Sequence, residues 1–275
     1  MTEDQGEIVE TDVLGRSRAT LVTVTHNSAE VLERHWARFD PAWADWLVID
    51  NASQDASRDI AMRLGATVLA RPDNRGFSDA NNVARTLDTG PVLIFCNPDL
   101  EVTPDGIARL TELAMANRAL IAPQLVNHDG SLQENGRGAP YPHRKLRHML
   151  GRESAPNLYS RTATGRELTR VVWAMGAALA VRRDVMDDLG WWDDGYFVYY
   201  EDHDLGIRAL QQGVPTYVDG ATRWIHGWAR ETRNGRSRSA WKFEFFSGIR
   251  FYSRHPYCLM PIFKKGRQLR AVDRE

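Results

Sequence analysis

An α/β fold around a mostly parallel central sheet is predicted for this chain by three observations in its first hundred residues. Short apolar, β-branched runs recur, helix-length segments separate them, and polar residues gather where the runs end. The runs are ATLVTVTH (residues 19–26), WLVID (46–50), ATVLA (66–70) and PVLIFCNPD (91–99), each of a length that suits a buried strand. Residues 29–39, 57–64 and 79–87 lie between them as helices, so the order reads β-α-β-α-β-α-β and implies right-handed crossovers between parallel neighbours. Thr25, Asp50 and Asp99 fall at strand ends. Sheets of this kind collect ligands beyond the carboxyl ends of their strands.

Further along, residues 104–117 read as a helix and LIAPQLV (120–126) as a strand. Residues 127–170 are rich in Gly, Pro, Arg and His and read as loops over the sheet. VVWAMGAALAVRR (171–183) is expected to be one strand whose small residues allow a backbone or ligand to come close. A helix over 201–212 is closed by Gly213. VPTYVD and TRWIHG follow, then an aromatic, basic helix over 239–255.

The 275 residues, 43% of them hydrophobic, suffice for a large core. No run approaches the roughly 20 apolar residues of a membrane span, and residues 1–18 are polar and acidic, unlike a signal peptide. A cytoplasmic protein with a polar, flexible N-terminal extension is therefore expected. Cys96 and Cys258 show no CxxC spacing, so neither a disulfide framework nor a zinc knuckle is expected. Residues 223–275 hold 13 Lys and Arg against 4 Asp and Glu in a chain of net charge −1. That imbalance suits a polyanionic partner or simply a solvated basic surface. No motif for reading nucleic acid accompanies it.

Chemistry is concentrated in a few stretches. YFVYYEDHDL places Glu201, Asp202 and Asp204 after an aromatic wall. Acids at a helix start suit its dipole, but one would do, and carboxylates beside a wall are candidates for a catalytic base. In VIDNASQDAS, Asp50 and Asn51 end a strand, where turn chemistry competes with acceptance of a pyrimidine imide N–H. No GxGxxG or GxxxxGK[ST] is present, so a phosphate needs a metal or basic side chains, or the Gly-bearing turn of RPDNRGFSDANN (71–82) leading into a helix. NPD ends an apolar strand with the single carboxylate Asp99, a possible ligand for Mg²⁺ or Mn²⁺, or an ordinary turn. His226 in WIHG taken alone reads as a structural histidine.

The succession THN, DNASQD, NRGFSDANN, NPD, WAMGAALAVRR, YFVYYEDHDL and IHG, over residues 20–227, resembles the inverting family 2 glycosyltransferases of GT-A fold, a Rossmann-like nucleotide-sugar-binding fold. The rhamnosyltransferase-like and galactofuranosyltransferase-like branch is the most similar. The resemblance implies a catalytic domain at 19–227, with a donor half (19–126) and an acceptor half (171–227), and a basic aromatic tail at 228–275. It implies nucleotide contacts from Thr25, Asn27, Asp50, Asn51, Asn74, Gly76, Asn81 and Asn97. It implies a metal, Mg²⁺ or Mn²⁺, on Asp99 and His226, with Asn97-Pro98-Asp99 in the place of a two-carboxylate DXD. Asp202 is implied as base, Glu201 as its positioning neighbour, and Trp173, Gly176, Ala177 and Tyr200 as the sugar pocket. The donor is expected to be dTDP-rhamnose first, then UDP-galactofuranose or another UDP-hexose. The acceptor is expected to be a glycan or a polyprenyl-diphosphate-linked saccharide of cell-envelope synthesis. A binder of the same fold without turnover is the rival, which the Glu201-Asp202 pair opposes. In the tail, Trp241, Phe245 and Tyr252 share a helix face expected to pack on the domain. Apolar residues 257–263 followed by Lys264, Lys265, Arg267 and Arg270 suit the anionic inner surface of a cell membrane.

Overall fold

In a computed structural model, which describes residues 18–150, 159–227, 238–259, 269 and 272, the expected αβ succession is present. The elements are β1 (Ala19–Thr25), α1 (Ala29–Trp36), β2 (Asp45–Asp50), α2 (Ser57–Arg63), β3 (Thr67–Ala70), α3 (Phe77–Asn82) and β4 (Val92–Cys96). They continue with β5 (Leu100–Glu101), α4 (Pro104–Ala116), β6 (Leu120–Val126), β7 (Gly136–Arg137), α5 (Pro142–Met149), β8 (Ser160–Arg161), β9 (Leu168–Val171) and β10 (Trp173–Ala174). Last come β11 (Ala178–Arg182), α6 (Arg183–Leu189), α7 (Glu201–Gln211), β12 (Thr216–His226) and α8 (Arg238–Arg254).

The main sheet runs β3-β2-β1-β4-β11-β6-β12-β5, with β9 on the side of β12. Its first four strands are mutually parallel, as are β6 and β12, while β11 runs antiparallel to β4 and β6. Successive strand residues face opposite sides. Leu21, Val48 and Ile94 pack under α1, α2 and α4, whereas Val22, Ile49, Leu93 and Phe95 pack under α3, α6 and α7. Both faces are thus covered, which is why these strands read as unbroken apolar runs.

Several expectations are corrected. Residues 171–183 are two strands in two sheets: β10 joins a small sheet with β7 and β8, and β11 joins the large one. The chain crosses between them at Met175–Ala177 because its small residues fit between β4 and α7. The segment read as loops carries β7, α5, β8 and β9, whose two- to four-residue strands are too short to show a period. α6 begins where β11 ends and buries Val185, Met186 and Leu189. VPTYVD and TRWIHG form a single strand, β12, whose register shifts between Asp219 and Arg223. This bulge is held by buried Asp219, which accepts from Thr222 N–H and Oγ1 and from Arg109 Nε at 2.7 Å. Such bulges bend a strand and re-aim its end, here bringing His226 beside Leu100 of β5.

The packing face of α8 also differs from that expected. Phe251, Ser247 and His255 face the domain, while Trp241, Phe245, Phe246 and Ile249 are 51–66% exposed. Tyr257 and Cys258, expected at a bilayer, are buried in the cluster with Phe251, Tyr200 and Trp173. Both cysteines are free and buried. The 1–17 extension and the basic run Lys264, Lys265, Arg267 and Arg270 lie outside the described residues.

α7 meets β10 at Gly206, where an added Cβ would lie 2.4 Å from Trp173 Cβ and 2.9 Å from the Val172 carbonyl oxygen. Gly206→Ala is therefore expected to destabilise by about 1–3 kcal/mol despite alanine's better helix propensity, because backbone must move to admit the methyl. Thermal unfolding should show a lower Tm; a wild-type Tm would mean that α7 is free to shift.

Candidate active site

The ends of β1 and β2 are joined into one crevice wall. Asn51 N–H donates to the Thr25 carbonyl oxygen at 2.8 Å, Asn27 N–H to Ser53 Oγ at 2.9 Å, and Gln54 N–H to Asn27 Oδ1 at 2.8 Å. Asn27 and Ala52 take φ of +52° and +62°, costly for residues with a Cβ. Asp50 has no exposed surface: Thr25 Oγ1 donates to it at 3.2 Å, Ser53 N–H at 3.1 Å, and Arg58 Nε lies 3.7 Å away. A pyrimidine would therefore reach this carboxylate past the half-exposed Arg58.

The Gly-bearing turn docks on the loop that precedes α7. Gly76 has φ +89°, its N–H donates to Asn74 Oδ1, and an added Cβ would lie 2.2 Å from the Phe197 carbonyl oxygen. Phe77 N–H donates to that same oxygen at 2.8 Å, and Asn51 Nδ2 donates to the Gly76 carbonyl at 2.9 Å. Asn81 is buried and donates to the Phe77 carbonyl. That bond braces α3 across one turn.

At the NPD turn, Asp99 Oδ1 stands 3.4 Å from His226 Nε2. Gln133 Nε2 donates to Asn127 Oδ1 and to the His226 carbonyl, so its Oε1 is left to accept from His226 Nδ1–H at 2.8 Å. The other ring nitrogen, Nε2, faces the Asp99 carboxylate. An oxygen–imidazole pair of this kind suits Mn²⁺ or Mg²⁺. Burial alone would raise Asp99, yet the His226 ring holds its carboxyl below the ordinary range.

The acids of α7 divide. Asp202 Oδ1 accepts from His203 N–H at 2.8 Å and from His203 Nδ1 at 2.7 Å, and Oδ2 accepts from Gly176 N–H at 3.3 Å. Burial pushes Asp202 up, but His203 and these N–H groups outweigh it and keep the carboxylate below its ordinary value. Glu201 is buried with Oε2 lacking a hydrogen-bond partner; burial first, then the Asp202 charge, raise it well above its ordinary value of 4.5. The two neighbours are thus pushed in opposite directions, Glu201 toward its protonated form and Asp202 toward its ionised form. Asp204 belongs to neither role: Arg208 Nε at 2.6 Å and His255 Nε2 at 2.8 Å pin it inside the fold.

Trp173 and Tyr200 form a wall behind the dyad. Their rings lie 3.6 Å and 4.6 Å from that of His203, and both are buried. Tyr199 and Tyr200 both have positive φ, the turn that starts α7 at Glu201. Gly176 and Ala177 connect the two halves: the Asn97 N–H donates to the Ala177 carbonyl at 2.8 Å, one residue from the amide that holds Asp202. Three contributors escape sequence reasoning. Gln133 sits in a segment read as loop, Lys145 of α5 donates to Tyr200 Oη and to Glu244 of α8, and Phe251 meets the His203 ring edge-on. Only the adjacency of His203 to Asp202 offered a signal.

A carboxyl that holds its proton more tightly folded than unfolded costs native stability as pH rises from 4.5 toward its raised value, at up to about 1.4 kcal/mol per pH unit. Glutamine has no proton to lose. Glu201→Gln should therefore gain stability relative to wild type as pH rises above 4.5 in urea unfolding. A difference independent of pH would show that Glu201 is not raised.

Against this geometry stand the relatives. The glycosyl transferase family 2 profile matches residues 20–190. The chain is 28% identical over 235 residues to the N-acetylglucosaminyl-diphospho-decaprenol L-rhamnosyltransferase of Mycobacterium tuberculosis, covering 77% of this chain and 75% of that one. It is 24% identical over 203 residues to the low-salt glycan biosynthesis hexosyltransferase Agl10 of Haloferax volcanii, covering 71% of this chain and 62% of the relative, less than two thirds of its length. In structure it resembles GalNAc-T7 solved with UDP, GalNAc and Mn²⁺, at a TM-score of 0.58, 19% identity, and coverage of 94% of this chain and 55% of that one. The fold is thus that of the GT-A glycosyltransferases, and the chain belongs to glycosyl transferase family 2.

Proposed function

We propose that the protein is an inverting glycosyltransferase that moves a sugar from a nucleoside diphosphate to a hydroxyl of a glycan or lipid-linked saccharide. The observation that carries this is the relay from Asn97 through Ala177 and Gly176 to Asp202, which ties the strand end beside Asp99 to an ionised carboxylate. Leaving-group stabilisation and proton acceptance are thereby held in one frame, as a single displacement needs. Asp202 takes the proton of the acceptor hydroxyl as that oxygen bonds to the anomeric carbon, and the nucleoside diphosphate departs from the opposite face, so the configuration inverts. Neutral Glu201 adds no second negative charge beside the attacking oxygen. His203 keeps Asp202 ionised and fixes its orientation. Asp99 and His226 would hold Mn²⁺ or Mg²⁺, which when bound offsets the charge of the leaving diphosphate. Asn27, Asn51 and the turn at Asn74–Gly76 line the nucleotide side. dTDP-rhamnose is the favoured donor, supported by the rhamnosyltransferase relative, with UDP-galactofuranose or another UDP-hexose next. A polyprenyl-diphosphate-linked saccharide is the favoured acceptor on the same ground.

The test is a donor panel scored for nucleoside diphosphate release with and without acceptor. Asp202→Asn is expected to lower kcat by about 10²–10⁴-fold with donor affinity retained, and chelation should abolish transfer until Mn²⁺ or Mg²⁺ is restored. Wild-type turnover in Asp202→Asn would refute the base; full activity in chelator would refute the metal.

Peripheral contact with an anionic membrane, at the inner face of the cell membrane, belongs to the same reading, but through α8. No helix among the described residues is long and apolar enough to cross a membrane. Trp241, Phe245, Phe246 and Ile249 are exposed on a helix whose flanking sequence is basic, a composition that suits the lipid interface. Because Tyr257, Leu269 and Val272 are buried in the core, truncating the tail would damage the fold. The triple variant Trp241→Ser, Phe245→Ser, Phe246→Ser is expected to lose cosedimentation with anionic vesicles while still hydrolysing soluble donor. Equal sedimentation would leave this face without a membrane role.

A further inference from the structure

Beside the NPD turn, three metal-binding side chains from three separate elements converge. His35 comes from the last turn of α1, Glu101 ends β5, and His128 lies in the turn after β6; their donor atoms all fall within 4.8 Å of one another. Glu101 Oε1 is 3.4 Å from His35 Nδ1 and 3.9 Å from His128 Nδ1, and the two imidazole rings face each other at 5.8 Å with 29° between their planes. Asp99 and His226 supply none of these donors.

His35 is what separates this cluster from a chance meeting of surface groups. Only 8% of it is exposed, and its buried Nδ1 has the Glu101 carboxylate, at the long distance of 3.4 Å, beside it. Its ring lies flush against Gly227, where an added Cβ would come within 2.6 Å of Nε2. The opposite nitrogen, Nδ1, therefore points at Glu101. A buried imidazole nitrogen facing a carboxylate at more than ordinary hydrogen-bond length has room for an ion between the two. Two imidazoles and one carboxylate are the donor set of open zinc sites, in which water takes the remaining position. Partly exposed Glu101 and exposed His128 give that water its access.

We propose that His35, Glu101 and His128 form a second metal site, one that binds Zn²⁺ or a similar borderline transition ion and acts as a clamp. Each of the three elements it would tie together also holds one part of the Asp99–His226 pair. α1 holds the NPD turn through Trp36 Nε1, which donates to the Pro98 carbonyl at 2.9 Å. β5 follows directly on Asp99. The segment after β6 carries Gln133, which orients His226. Occupancy of the clamp would fix those three elements against one another, and so narrow the freedom of the catalytic pair without touching substrate.

The test is calorimetric titration of tag-free, metal-stripped full chain with ZnCl₂ alone. Asp99→Asn disables the neighbouring pair, so in that background one equivalent of Zn²⁺ is expected to bind and to raise Tm, since a ligand specific to the native state stabilises it. Adding His128→Ala, or separately Glu101→Gln, should weaken binding by more than about tenfold and abolish the Tm rise. His128 is exposed, so its replacement should leave the metal-free Tm unchanged; Glu101→Gln keeps the shape and serves if it does not. The clamp is refuted if Asp99→Asn binds no Zn²⁺, or if it binds Zn²⁺ equally well with His128 or Glu101 replaced.

Discussion

Two adjacent carboxylates in the first turn of one buried helix cannot both be charged without a cation or a set of N–H groups to hold them. In this protein Asp202 receives most of that support and Glu201 little of it. His203 and the amide of Gly176 converge on Asp202, while Glu201 is buried with an unpartnered oxygen. The proton distribution follows from that placement alone. Much of the remaining architecture exists to maintain it: the break between β10 and β11 presents the Gly176 amide, and Trp173, Tyr200 and Phe251 enclose the His203 ring.

That arrangement has a cost. Tyr199 and Tyr200 occupy left-handed backbone conformations, and His203 Nε2 is buried without a partner. Strain of this kind persists only where surrounding structure overdetermines it. Here the Phe197 carbonyl accepts from Phe77, Lys145 donates to Tyr200, and Arg250 of α8 pairs with Asp193 at 2.7 Å. Helix α8 is therefore part of the wall around Asp202, and it presents to solvent what it does not use for packing.

Legibility in the sequence varied with the physical scale of each feature. Strands β1 to β4 were readable because burial on both faces demands continuous apolar runs, and the helices between them because their lengths match crossovers. Asp202, Asp99 and His226 were readable as parts of ordered motifs. The split of residues 171–183 was not, since small residues permit both a continuous strand and a crossing, and only the positions of β4 and α7 decide. Of the face expected for α8, Tyr252 packs on the domain, but spacing groups it with the exposed Trp241 and Phe245, whereas the other contacts are made by Ser247, Phe251 and His255. Gln133 and Lys145 left no trace, as each acts through a partner tens of residues away.

The proposed chemistry needs Glu201 to be the protonated member of the pair and Asp202 the ionised one. Infrared difference spectra in the carbonyl-stretch region, recorded at neutral pH on wild type, Glu201→Gln and Asp202→Asn, test this directly. A protonated carboxyl band present in wild type, lost in Glu201→Gln and retained in Asp202→Asn is the predicted result. A band that disappears in Asp202→Asn and survives in Glu201→Gln would exchange the two residues and contradict the account.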